Sequence, residues 1–368
     1  ISIKEVKGKG GINLNNISLP FFNQVTLSEK IIFTNNLSGM LSAGLSLTRA
    51  LEILQKQSKN STFNKIMRGI EDDLNRGVTL SDSMKKYPKV FSGLFVPMIR
   101  SGEESGTLSK TLGEIGINLK KSYELNKKIK SALMYPSIIL IAIILIGVLM
   151  MIYVVPTLTK TFKEMGTTLP KSTKFVLFIS DSLNNHLVLI ISLVVTLGIV
   201  GYFASRFAQV QKIMNFIVLR IPVIGNLVKE VNTARTARTL SSLLSSGVDM
   251  SRALSITEEV LQNFYYKELI RKSITSIEKG LTLSNSFKEN TTLYPVMVGE
   301  MMEVGEETGK LSPMLLDIAV FYEGEVDAKT KDLSTIIEPV LMVFIGGAVG
   351  FFAVSMLSPM YSVMDNIK

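Results

Sequence analysis

Two stretches decide how this chain reads: Ser38–Leu54, SGMLSAGLSLTRALEIL, and Ser241–Thr257, SSLLSSGVDMSRALSIT. They align without a gap at an offset of 203 residues (247 − 44 for the glycine in each). The register holds outward. RGVTLSDS from Arg76 meets KGLTLSNS from Lys279, SGEESGTLS from Ser101 meets VGEETGKLS from Val304, and Pro136 and Pro156 meet Pro339 and Pro359. One offset kept over so long a stretch marks an internal duplication. Inside a unit the apolar residues recur at helical spacing. Phe63, Ile66, Met67, Ile70 and Leu74 form one stripe; Leu108, Leu112, Ile115 and Leu119 form another, repeated by Leu311, Leu315, Ile318 and Tyr322. Gly44 and Gly247 interrupt the pattern at one place in each unit and predict a helix–turn–helix corner. Gly77 reads as a helix stop, and Thr79 with Asp82 has capping-box spacing for the next helix. No alternating strand pattern appears, so each unit is expected to be an all-α bundle.

The duplication is framed by three apolar runs without a charged residue: Ser137–Val155, Leu187–Ser205, and Pro339–Met364, which opens PVLMVFIGGAVGFFAVSML. Each comes close to or exceeds the ~20 residues that cross a bilayer. Hydrophobic residues make up 46% of the 368 and charged ones 19%. The expected chain is therefore polytopic: a helical domain and one span, used twice, with the second run returning the chain between them. The net charge of +9 is explained by position. Lys120, Lys121, Lys127, Lys128 and Lys130 precede the first run, Arg206, Lys212 and Arg220 follow the second, and Lys329 and Lys331 precede the third. The connector after the first run has Lys160, Lys163, Lys171 and Lys174, and the C-terminus Lys368. This bias places the N-terminus and both domains in the cytoplasm and the C-terminus outside, and no nucleic-acid partner is needed to account for the charge.

The expected divisions are 1–26 as an N-terminal segment, 27–130 as the first cytoplasmic domain, 137–157 as a span and 158–186 as a short extracytoplasmic connector. Then follow 187–205 as a span, 206–335 as the second domain, 338–360 as the last span and 361–368 as an extracytoplasmic tail. No cleavable signal-peptide pattern opens the chain, and a start at Ile1 leaves room for upstream residues. With no cysteine and one histidine, His186 beside the second run, neither a disulfide framework nor a thiolate metal site is expected.

Gly305-Glu306-Glu307-Thr308-Gly309-Lys310-Leu311 resembles a phosphate-binding loop but fails as one. Three residues rather than four separate the glycines, and Leu311 stands where the magnesium-binding hydroxyl belongs. The doubled Gly-Glu-Glu-x-Gly, Gly102/Glu103/Glu104/Gly106 and Gly305/Glu306/Glu307/Gly309, leaves several readings open. The glycines allow close helix approach or a turn. The glutamates serve as a docking surface for a basic partner, as oxygen ligands for a divalent cation, or as charges favoured by a helix dipole. Nothing supplies a catalytic group, and no cofactor is expected. Gly346 and Gly350 form a GxxxG face in the last span, suited to packing within the chain or between copies. The spans lack the buried charges that mark ion or proton paths, which disfavours a transporter, the alternative reading.

These motifs, with Tyr135-Pro136 and Glu338-Pro339 opening two of the spans, Ile221-Pro222-Val223-Ile224-Gly225, Leu169-Pro170-Lys171-Ser172-Thr173 and TARTARTLSSLLSSGVDMSRAL from Thr233, resemble the type II secretion system F family from about Leu27 to the C-terminus. The resemblance implies two six-helix cytoplasmic domains and three membrane helices, embedded in lipid, forming the non-enzymatic inner-membrane platform of a type IV pilus or type II secretion machine. It implies coupling between a hexameric cytoplasmic ATPase and pilins or pseudopilins, contact with other inner-membrane assembly proteins, and self-association. On this reading the two acidic motifs and Arg238 dock or couple, while Tyr135, Pro136, Glu338 and Pro339 fix how each bundle meets the membrane. One departure is Asn35-Asn36 in the first unit, where the family commonly carries the arginine kept as Arg238 in the second. The segment ahead of the first domain is short and unlike the family, and its role is open.

Overall fold

The computed structural model describes residues 24–91, 93–164 and 170–366. Most of the expected N-terminal segment, part of the connector and the last two residues lie outside these. All regular structure among the described residues is helical. The first unit comprises α1 (Leu27–Ser42), α2 (Leu47–Gln57), α3 (Ser61–Asn75), α4 (Leu80–Lys85), α5 (Phe95–Glu104) and α6 (Leu108–Leu149). A five-residue π turn, Met150–Val154, leads from α6 into α7 (Val155–Glu164). Next come α8 (Lys171–Asn185), α9 (Leu187–Ala204) and α10 (Ala208–Arg220). The second unit is α11 (Ile224–Ser245), α12 (Met250–Val260), α13 (Phe264–Glu278), α14 (Leu283–Lys288), α15 (Val296–Glu307) and α16 (Leu311–Asn366).

Local chemistry sets these boundaries twice over. Asn60 and Asn263 accept from backbone N–H groups at the starts of α3 and α13, and Thr26 with Glu29 closes a reciprocal capping box on α1. Gly44, Gly77, Gly247 and Gly280 end their helices at φ +81° to +87°. In each, the next amide reaches back to the carbonyl five residues earlier, as from Leu45 to Met40 and from Val248 to Leu243. The expected corners at Gly44 and Gly247 and the stop at Gly77 are these turns. Each unit is then closed by its first and last helices, joined through paired serines. Ser38 donates to the Ser109 carbonyl at 2.8 Å and Ser109 to that of Ser38 at 3.1 Å; Ser241 and Ser312 repeat this at 2.9 and 3.1 Å.

The two units do not stand apart. Leu37, Leu51, Ile70, Met98 and Leu112 of the first belong to one continuous buried core with Leu240, Leu254, Ile270, Met302 and Ile318 of the second. At about 1.5–3 kcal/mol for each fully buried side chain of this size, that shared core dominates over the polar contacts at the seam. The seam sets direction. Lys121 lies 3.9 Å from Glu323 and Lys128 2.8 Å from Asp327, so α6 and α16 run parallel.

Both helices continue out of the body as long rods. α6 passes through Pro136 without a break, and α16 runs 56 residues through Pro339. The proline pairs thus sit inside continuous helices rather than opening new ones. Three helices are long and apolar enough to cross a membrane: residues 108–162, Leu187–Ala204 and Leu311–Ser358. Beyond the first span the chain is not a plain loop. The π turn frees the Met151 carbonyl, which accepts from Ser180 at 2.6 Å, and Thr173 donates to the Ser355 carbonyl at 2.5 Å. α8 is thereby tied to both rods over a small apolar cluster of Val155, Val176 and Met356. At the other end, α10 and α11 meet at 111°. Val223 turns the corner at φ 70°, ψ −56°, and the Ile224 amide donates to the Pro222 carbonyl at 2.8 Å, a γ-turn of the strained hand. Gly225 is required beside it, since a Cβ there would run into the Leu219 carbonyl.

Candidate functional site at the acidic glycine motifs

Each Gly-Glu-Glu-x-Gly motif ends one helix and begins another. Gly106 and Gly309 take φ +69° and +67°, a left-handed turn that a side chain resists. The Thr107 amide donates to the Gly102 carbonyl at 2.8 Å, and Lys310 to Gly305 at the same distance. Gly102 and Gly305 serve a different need. A Cβ on Gly102 would stand 2.6 Å from Thr111 Oγ1, and one on Gly305 2.9 Å from Leu311 Cα. Helices α5 and α6, and α15 and α16, can approach this closely only over glycine. Both glycine roles, close approach and turn, are therefore present in each motif.

The two glutamates of a motif part company. The Glu103 carboxylate accepts from the Leu80 amide at 2.5 Å and the Ser81 amide at 3.0 Å. Glu306 does the same for Leu283 at 2.7 Å and Ser284 at 3.0 Å. The first amides of a helix have no partner within it, and a carboxylate there also meets the positive end of the dipole. Glu103 thus completes the α4 N-terminus, a role that spacing had given to Asp82. Thr79 does accept from the Asp82 amide at 3.2 Å, but the Asp82 carboxylate turns outward to Arg100 at 2.6 Å. The second glutamates, Glu104 and Glu307, remain exposed. Glu104 lines a cleft of about 470 Å³ with Lys110, Glu114 and, from the other unit, Ser246 and Gly247.

Arg238 lies at the seam rather than on the surface. Its guanidinium meets the Glu323 carboxylate as a fork at 2.8 and 2.9 Å, with only 9% of the side chain exposed. In the first unit the corresponding residues are Asn35 and Lys120, and Gly116 lies so close under Asn35 that a Cβ would collide with its Oδ1. Tyr135, Glu338 and Pro339 are exposed and Pro136 half-exposed on the two rods. Nothing among the described residues comes within 4 Å of where Cβ atoms on Gly346 and Gly350 would lie, so that face packs on no described part of the chain. Among the described residues there is no group of three or more His, Cys, Asp or Glu placed to hold a metal.

What the sequence missed here is the split of each glutamate pair. The only trace of it is that the partner segment, Thr-Leu-Ser, is also doubled, at Thr79–Ser81 and Thr282–Ser284.

A family profile described as Type II secretion system (T2SS), protein F matches residues 33–156 and 236–359, the same 203-residue offset (236 − 33). The chain is 34% identical over 346 residues to the type IV pilus assembly protein PilC of Thermus thermophilus, covering 93% of this chain and 84% of that one. It is 33% identical over 352 residues to PilC of Myxococcus xanthus, covering 96% and 84%. It is also 28% identical over 370 residues to the type II secretion system protein F of Aeromonas hydrophila, covering 100% and 94%.

Proposed function

This chain belongs to the type II secretion system protein F family, and we propose that it is the inner-membrane platform of a type IV pilus or type II secretion machine. In this reading the N-terminus and both bundles are cytoplasmic and the C-terminus is outside. The bundles receive force from a hexameric assembly ATPase, and the spans pass it to pilins or pseudopilins among other inner-membrane assembly proteins. The observation that supports this best is mechanical: two bundles share one core, and α6 and α16 leave it as parallel, unbroken helices. A push on such a body is carried along the rods instead of being absorbed at a hinge. The chain itself is read as hydrolysing nothing, since the one phosphate-loop-like segment is a helix stop.

The docking role narrows to Glu104 and Glu307, because Glu103 and Glu306 are engaged in capping. Arg238 is read as a coupling residue that holds α11 to α16, not as a docking group. The test is deletion in the host, electron microscopy of surface filaments, and recovery of the assembly ATPase on a tagged copy. Loss of filaments together with ATPase on the tag supports the platform. Normal filaments, secretion and DNA uptake with a bare tag would leave the fold without the job. Replacing both exposed glutamates by glutamine is expected to weaken ATPase recovery while leaving the protein folded; unchanged recovery would remove them as the docking surface.

A further inference from the structure

The two units of one chain are joined head to tail, and that joint uses only half of what the chain carries. The first unit offers its α5–α6 face. Ser101 donates to the Ser246 carbonyl at 2.5 Å, Asn118 to Ser242 at 3.1 Å, and Asn126 accepts from Arg235 at 3.0 Å. The second unit offers a different face: α11, its corner with α12, and the side of α16 that carries Glu323 and Asp327. A joint between unlike faces is heterologous, so each unit keeps the other half unused, and such joints repeat from copy to copy.

The residues 203 positions away show what is left over. On α1, the counterpart of α11, Ile32 is 56% exposed and Asn35, Asn36 and Gly39 are exposed too. A groove of about 220 Å³ lies open between Ile32, Asn36, Leu54 and Gln57. The counterparts of Ile32 and Asn36, Arg235 and Thr239, instead line a space of about 20 Å³ filled by Asn118 and Leu125 of α6. On the second unit Val304 and Phe321 are each 50% exposed and Val296 56%. They stand where the first unit has Ser101, Asn118 and Gly93 against its neighbour. The second unit thus carries an apolar face at the positions through which the first unit grips.

We infer that the free α15–α16 face of one copy docks on the free α1 face of a second copy, repeating between chains the joint made within one. Three contacts of the joint have fitting successors on the two leftover faces. Ser101 against Ser246 becomes Val304 against Ala43, polar pair for apolar pair. Asn118 over Ser242 becomes Phe321 over Gly39, which has no side chain to obstruct a ring and nothing within 4 Å. Lys128 with Asp327 becomes Lys331 with Glu124, signs kept. Two contacts have no matching successor: Lys121 with Glu323 gives way to Gly324 and Lys120, and Asn126 with Arg235 to Lys329 and Ile32. Repeating the joint also respects the membrane: α6 and α16 run parallel, so each further copy directs its spans to the same side.

The absence of cysteine makes the test clean. Phe321→Cys and Gly39→Cys on differently tagged full-length copies, expressed together in membranes, should give a disulfide-linked pair carrying both tags. Asn118→Cys with Ser242→Cys in one chain should link internally and reports that the joint within the chain is intact. Val304→Asp in the copy that carries Phe321→Cys should abolish the first link and leave the second. Lys331→Glu or Glu124→Lys should each lower the link several-fold, and the two together should restore it, since like charges across a contact repel and reversed pairs attract. No mixed-tag link while the internal link forms would overturn the inference. So would a link found only between two Phe321→Cys copies, which would mean a symmetric joint. The inference stands on the duplication and not on the platform reading, and a chain that links as described yet leaves filaments untouched would sink that reading alone.

Discussion

In the first bundle Phe33, Phe63 and Phe91 fill the centre as a dry cluster, with ring centres 5.3 and 5.9 Å apart. At the same three places the second bundle holds Thr236, Tyr266 and Tyr294. There Tyr294 and Thr236 share a hydrogen bond of 2.8 Å and Tyr266 donates to the Leu293 carbonyl at 2.6 Å. Burial pushes both tyrosine hydroxyls above their ordinary values. Helices α2, α3 and α4 nevertheless begin and end at residues that match those of α12, α13 and α14. The comparison teaches that caps and stops set the frame of this unit, while its centre tolerates a change of chemistry in which volume is filled and the three introduced hydroxyls find partners. A second contrast lies in the leading helices. Phe33, Thr34 and Leu37 are the buried residues of α1, whereas α11 is buried over most of its length, because one faces outward and the other is held between α16, α10 and the first unit.

The pair unique to the second bundle gives the largest expected effect. Glu323→Ala leaves the Arg238 guanidinium buried without a partner and should cost about 3–5 kcal/mol, read as a fall in thermal stability of the detergent-solubilised protein. Removing both charges, Arg238→Asn with Glu323→Gln, should return most of that loss without setting a cation against Lys121. If it does not, the loss has another cause than the unpaired guanidinium. Next is Tyr294→Phe, which makes the second core resemble the first but strands the Thr236 hydroxyl, at about 1–3 kcal/mol. Adding Thr236→Val should bring the value back towards wild type, and a persistent loss would show that the ring and not the hydroxyl matters. Smaller again is the division within the acidic motifs. Glu103→Ala should destabilise by about 0.5–2 kcal/mol as a lost cap, while Glu104→Ala should stay within about 0.5 kcal/mol. Equal effects would erase the distinction between them.

The smallest contrast is one of pH. Lys86 and then Ser83 hydrogen-bond the Asp73 carboxylate and hold it below its ordinary range, and the second bundle has Ser276 at this position. Asp73 titrates near ~3.9 when the chain is unfolded. The stabilisation it supplies is therefore present above that value and lost as pH falls through the lower folded value. Amide exchange in α3 and α4 should distinguish wild type from Asp73→Asn near neutrality, and the gap should close on acidification. The matching amides of α13 and α14 should show no such change; a gap that persists in acid would exclude the charge as its cause.

Much of this was legible in the chain itself. The constant offset gave two like units, helical periodicity gave their class, the apolar runs gave the spans, and Gly44, Gly77 and Gly247 gave the stops, because these are properties of neighbours along the chain. The roles inside Gly-Glu-Glu-x-Gly were not legible. Whether a glutamate caps or faces water depends on Leu80 and Ser81, some twenty residues earlier in sequence and adjacent only after folding. The helical character of the expected connector after the first span was equally hidden, since Thr173, Ser180 and Asn184 meet their partners, the Ser355 and Met151 carbonyls, only after folding. Sequence by itself determined the repeat, its helices and their passage through a bilayer, each of which follows from local hydrogen bonding and solvent preference. Tertiary structure alone decided that two like units join through unlike faces. Nothing in a repeated sequence says which of its surfaces will be covered, because that depends on the side chains of the other copy.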